Sequence, residues 1–132
     1  MQKIFSRSLL MLLALIIIST SVCCAENFVF VDADENTGYY VDMDTVNIVS
    51  RDFINVDIAV VKAQSNRMYI YNVKINHKDR IYQINSSRIL EYDTRNILES
   101  NNQQRPFRPY SAKSEMSELV HFILNGGDLI AN

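Results

Sequence analysis

The sequence predicts an α+β fold: a single antiparallel, meander-like β-sheet with one C-terminal amphipathic helix packed on one face. Three observations carry this. Most of the chain after residue 26 alternates apolar and polar residues at period two, and short polar stretches separate the alternating runs. Near the end the apolar period lengthens to three and four.

FVFVD (28–32) reads as a short strand, ADENTG (33–38) as a turn, and YYVD (39–42) as the returning strand. Asn, Thr and Gly supply the polar and positive-φ residues that a hairpin loop needs. TVNIV (45–49) reads as another short strand, ended by SRD. The clearest strand is FINVDIAVVKA (53–63), with Ile54, Val56, Ile58 and Val60 on one face and Asn55 and Asp57 opening the other. QSNR turns the chain into MYIYNVKINH (68–77), where Tyr69, Tyr71, Val73 and Ile75 share a side opposite Asn72, Lys74 and Asn76. RIYQIN (80–85) and SRILEYD (87–93) follow. One face of this meander is expected to be wet.

NNQQRPFRPYS (101–111) is polar with two prolines, so it reads as a partly extended connector. In SAKSEMSELVHFILNGG (111–127), Met116, Leu119, Val120, Ile123 and Leu124 repeat at helical spacing. Ser111 or Ser114 caps the start, Glu115 and Glu118 favour the N-terminal end, and Gly126 and Gly127 stop the helix. A helix with one apolar stripe and a sheet with one apolar face are complementary.

The first 25 residues read as a cleaved signal peptide. Lys3 and Arg7 precede ten uninterrupted apolar residues, Leu9 to Ile18, and small residues lead to Ala25. That run is half the about 20 residues that a membrane-spanning helix needs. Cleavage after Ala25 removes both cysteines, Cys23 and Cys24, and leaves residues 26–132 as one small exported β-rich domain without a disulfide. The minority alternative is a lipoprotein anchored through Cys23 or Cys24, although neither is preceded by the Leu and small residue of a lipidation site. Loss of Lys3 and Arg7 takes the net charge from −2 to −4. A mildly acidic domain with scattered Lys and Arg is not built for nucleic acid or anionic lipid. No stable membrane span is expected after cleavage.

Chemistry-bearing motifs are sparse. Asp32, Asp34 and Asn36 alternate as in a calcium loop, but the bidentate twelfth position is Met43. His77 and His121, the two histidines, have no ligand-like companions at zinc spacing. There is no G-x-S-x-G, and the three glycines serve turns or caps. The expectation is no catalytic site, no metal and no cofactor: not an enzyme.

Seven tyrosines and no Trp suit a half-buried sheet. Tyr69 and Tyr71 read as core; of Tyr39 and Tyr40, one faces outward if its neighbour faces in. RPFRPY (105–110) combines two Arg, two Pro and two aromatics. The candidate binding surface is therefore Tyr39, Tyr40, Arg105, Phe107, Arg108 and Tyr110. Phe122 projects about 60° beyond Leu119 at 100° per residue, outside the central stripe. With the open edges of such a sheet, it is the candidate contact of a weak homodimer.

The order of pieces resembles the surface-adhesin protein E-like domains of bacteria that keep an outer membrane. The resemblance is carried by YYVDMDTV, with Tyr40, Asp42, Thr45 and Val46 in matching places, then by NVDIAVVKA, MYIYNVKI and RPYSAKSEMSELVHFIL. Phe28 or its neighbour stands where a Trp often opens those domains, and their occasional cysteine pair is missing. The resemblance implies a sheet with one helix, secreted or surface-displayed, and, in the family's namesake, adhesion to host proteins. The resulting expectation is an exported non-enzymatic binding or adhesion-like domain of the bacterial envelope, in the periplasm or on the cell surface, with an unidentified protein partner. A small periplasmic enzyme or inhibitor, or a structural envelope component, is the alternative.

Overall fold

Ile54, Val56, Ile58 and Val60 do share one side of a strand, β3 (Phe53–Lys62), as its alternation dictates. They stand opposite Ile75, Val73, Tyr71 and Tyr69 of the antiparallel strand β4 (Arg67–Asn76), so two apolar rows meet on one face. The computed structural model describes residues 26–126. The apolar leader, Cys23, Cys24 and Gly127 lie outside them.

Around this pair the sheet is antiparallel throughout. β1 (Phe28–Asp34), β2 (Thr37–Ile48), β3, β4, β5 (Ile81–Glu91) and β6 (Ile97–Asn101) follow in chain order, and the short β7 (Arg108–Pro109) pairs β5 beside β6. One helix, α1 (Glu115–Leu124), closes the described chain. The predicted architecture is therefore the observed one: an open antiparallel sheet with a C-terminal helix on one face. Among the described residues no helix is long and apolar enough to cross a membrane.

The helix begins as its sequence requires. Ser114 caps it by accepting the Ser117 N–H at 3.4 Å, with Glu115 and Glu118 in the first turn. Gly126, at φ +65°, ends it by donating to the Ile123 carbonyl. Leu119, Val120, Phe122 and Ile123 enter a core with Val41, Ile54, Val56, Ile58, Val73 and Ile75. Phe122 is only 2 % exposed, which corrects its assignment as a half-exposed dimer contact. The apolar arc of α1 is rotated toward Phe122, and Leu124, assigned to the stripe, is instead 51 % exposed.

Three further differences share one cause. The runs 39–42 and 45–49 are a single strand, β2, because residues 43–46 bulge out opposite Val56 alone: Asp42 pairs with Asp57 and Asn47 with Asn55. The runs 80–85 and 87–93 are likewise one strand, β5, with Asn85 as an extra residue between the Asn72–Ser86 and Val73–Ile84 pairs. That extra residue reverses the alternation: Tyr82 and Ile84 share the helix face with Ser87 and Ile89, while Arg88 and Leu90 turn to the other. Leu90 there joins Ala59, Val61, Met68 and Ile70 in a second apolar cluster, flanked by Phe28, Tyr40 and Tyr92. The open face is thus dry at one end rather than wet throughout.

The β1–β2 turn is also tighter than the loop read at 33–38. It comprises Glu35 and Asn36, with Glu35 at φ +50°, and Gly38 already lies in β2. A Cβ at Gly38 would sit 2.9 Å from the Tyr40 ring, so any larger residue there has to displace that ring. Residues 97–101 and 108–109, within or beside the polar connector, become β6 and β7 because the last free edge of β5 pairs with them.

Candidate binding groove

The helix face carries tyrosines that α1 does not fully cover. Tyr69 and Tyr71 on β4 and Tyr82 on β5 continue the apolar rows of the core, and Tyr39 on β2 stands opposite Val60. Between Tyr39, Tyr71 and Tyr82 and the N-terminal half of α1 lies a groove of about 270 Å³. Its floor is Ile58, Val60, Val73 and Ile84; its walls include Tyr39, Tyr71, Tyr82, Glu115 and Met116, and Arg105 closes one side.

The connector places Arg105. Its N–H donates to the Ile84 carbonyl at 2.9 Å, and five residues on the Tyr110 N–H donates to Arg80 O at 2.9 Å. The segment is thereby held along β5 with Pro106 and Pro109 limiting its freedom. A second cavity, about 140 Å³, lies beyond Arg105 and is lined by Tyr69, Tyr71, Ser87, Ile89, Glu99 and Asn101 as well as Arg105 itself. Tyr71 and Arg105 belong to both cavities.

Burial raises the hydroxyl pKa of Tyr39, and the nearby carboxylates of Glu115, Asp34 and Asp32 raise it further. Burial also raises that of Tyr71, with Tyr69 and Tyr82 acting in the same direction and the Arg105 guanidinium opposing them. Both phenols therefore stay neutral at ordinary pH and act as hydrogen-bond donors and acceptors, not as bases. Tyr110 is raised by burial too, with Arg80 opposing; its ring lies 6.4 Å from that of Tyr82.

The six candidate surface residues do not form one patch. Tyr39 and Arg105 meet in the groove, and Tyr110 supports its Tyr82 wall. Tyr40 stands on the opposite face, in a separate hollow with Phe28, Met68, Tyr92 and Arg95. Phe107 is exposed and packs edge-on against Phe53, and Arg108 is exposed on β7. Reading Tyr69 and Tyr71 as plain core missed two wall residues; Glu115 reads from the sequence only as an acidic residue of the helix N-terminal turn, and nothing there marks Glu99. The only signal available for them was alternation with the strand rows, which marks a side of the sheet but not which part of it the helix leaves uncovered.

The open face carries a chain of polar contacts across four segments. Asn72 donates to Asp57 Oδ1 at 2.7 Å, Asn85 to Asn72 Oδ1 at 2.9 Å, and Gln104 to Asn85 Oδ1 at 3.0 Å. Asp42, only 4 % exposed, stands opposite Asp57 in register. His77 approaches the Arg51 carbonyl at 3.2 Å, and His121 the side chain of Asn125 at 3.1 Å. Among the described residues no group of three or more His, Cys, Asp or Glu could hold a metal ion. No family model matches the chain, and no curated protein or solved structure matches it either.

Proposed function

We propose that the protein is an exported, non-enzymatic binding domain of the bacterial cell envelope, and that it holds its ligand in the tyrosine-walled groove between α1 and the sheet. The observation that carries this is the groove itself: apolar floor, neutral phenols and one guanidinium converging where the helix leaves the sheet uncovered. Concave, mostly apolar sites with a few convergent polar groups are where ligands are held. Tyr and Arg are also the side chains that contribute most at recognition surfaces.

Export rests on the basic, apolar and small-residue order of residues 1–25. The adhesin-like part rests on the resemblance through Tyr40, Asp42, Thr45 and Val46. In the structure Asp42 and Thr45 build the β2 bulge, so that motif supports the sheet, and the recognition chemistry is assigned to the groove.

The test is capture from an envelope fraction with the purified protein, beside Arg105→Ala, Tyr71→Ala and, as a control that lines neither cavity, Arg51→Ala in the exposed β2–β3 turn. A component retained by the wild type and the control, and lost from both groove variants, supports the reading. Identical capture by all four proteins opposes it.

A further inference from the structure

The two cavities share Tyr71 and Arg105 as lining residues, and charges alternate along this pair, taken together as a trough. Glu115 lines the larger part, Arg105 both, and Glu99 the smaller. A ligand with a single negative charge gains at Arg105 but meets two carboxylates, and a single cation meets the reverse problem. Taking an unmatched charge out of water is unfavourable. A hydroxyl group escapes this conflict, since it donates to a carboxylate and accepts from a guanidinium. Ser87 and Asn101 add two more groups of the same dual kind to the smaller cavity.

The walls add a second preference. Tyr39, Tyr69, Tyr71 and Tyr82 offer ring surfaces with polar tips, suited to ligands having an apolar face and a hydroxylated rim. The larger cavity, at about 270 Å³, falls below the about 300–1,000 Å³ of sites that enclose a whole small molecule. A trough divided at a waist fits a linear ligand made of small, ring-sized units.

We propose that this trough is a pair of carbohydrate subsites, holding two successive rings of a neutral or N-acetylated glycan with Tyr71 and Arg105 between them. The inference rests on the groove being the binding site. Within it, Tyr71 is the shared aromatic platform, Arg105 donates to ring or acetyl oxygens, and Glu99 and Glu115 accept from hydroxyls on either side.

The experiment is a glycan array probed with the purified protein, followed by calorimetric titration of chitotetraose and maltotetraose alongside any neutral array hit. The expected result is binding of at least one neutral or N-acetylated oligosaccharide, weakened about tenfold or more by Tyr71→Ala and measurably by Glu99→Gln. Circular dichroism checks that each variant is folded; should Tyr71→Ala fail to fold, Glu99→Gln and Ser87→Ala carry the comparison. No binding of any neutral oligosaccharide at millimolar concentration overturns the proposal. So does binding that ignores these substitutions, or retention of anionic glycans or peptides alone. If glycans fail while the groove variants still abolish capture from the envelope fraction, only this inference falls; if those variants alter neither measurement, the binding-domain reading falls with it.

Discussion

Thr45 bridges β2 to its neighbour: its hydroxyl accepts the Asp57 N–H at 2.8 Å while donating to the Asp42 carbonyl at 2.8 Å. Asp42 completes the arrangement by accepting the Asp44 N–H through Oδ1 at 3.1 Å. Two side chains thus satisfy backbone groups that a bulge of this size takes out of the ladder. The strand therefore continues through it.

Thr45→Val keeps the shape of the side chain and removes the bridge, leaving the Asp57 N–H without its partner. The expected loss is about 1–3 kcal/mol, with Thr45→Ser near the wild type. Urea denaturation measures both, and equal stability of Thr45→Val and wild type would contradict the role given to the hydroxyl.

Asn85 allows a further test. Asn85→Ala removes its contacts with Asn72 and Gln104, a partly exposed network worth about 1 kcal/mol. Deleting Asn85 removes the extra residue and leaves the later residues of β5, Arg88 and Leu90 included, opposite the same partners and on the same faces. The deletion should therefore still fold cooperatively, within about 1 kcal/mol of Asn85→Ala, as read by thermal melts. A deletion variant that loses its cooperative transition would refute Asn85 as the extra residue.

Phe122 is a core residue, so Phe122→Ala is expected to destabilise the domain by about 3–5 kcal/mol through lost burial and the cavity left behind. Leu124→Ala, on the exposed side of α1, should stay within about 0.5 kcal/mol. Chemical denaturation separates them; a Phe122 variant that melts like the wild type would return that side chain to the surface.

Asp42 makes stability depend on pH. Burial raises its pKa, the Asp44 N–H opposes this, and the carboxylates of Asp44, Asp57 and Glu26 raise it further. The folded state then takes up a proton before the unfolded chain does, whose value is about 3.9. Stability from this group rises as pH falls from neutral through the raised pKa, and the gain is complete below about 4. Asp93 moves the opposite way, its pKa lowered chiefly by its contact with Asn66, so its contribution is lost only below about 4. Melting temperatures measured from pH 7 to pH 4 should rise less steeply in Asp42→Asn than in the wild type; parallel curves would exclude Asp42 as the cause.

Much of the fold was legible because alternation and turn chemistry are local. The rows of β3 and β4, the cap at Ser114, the Glu-bearing first turn and the stop at Gly126 each follow from residues within a few positions of one another. The groove was legible only in part. Arg105 and Tyr39 stand out by type, whereas Tyr71 is equally at home in a core, and its place at the rim depends on how far α1 extends over the sheet.

By itself, the sequence determined the runs that make up β1 to β5, which segment is the helix, and that one face of the sheet would seek that helix, since period and capping are set by neighbouring residues. Only the tertiary structure decided the rest. It joined two pairs of short runs through bulges, because Thr45 finds the Asp57 N–H twelve residues away and Asn85 finds Asn72 thirteen away. It recruited β6 and β7 to the free edge of β5, built the second apolar cluster, and rotated α1 to bury Phe122. Each of these depends on partners distant in the chain, and a local pattern does not record which distant group will complete a hydrogen bond or fill a space.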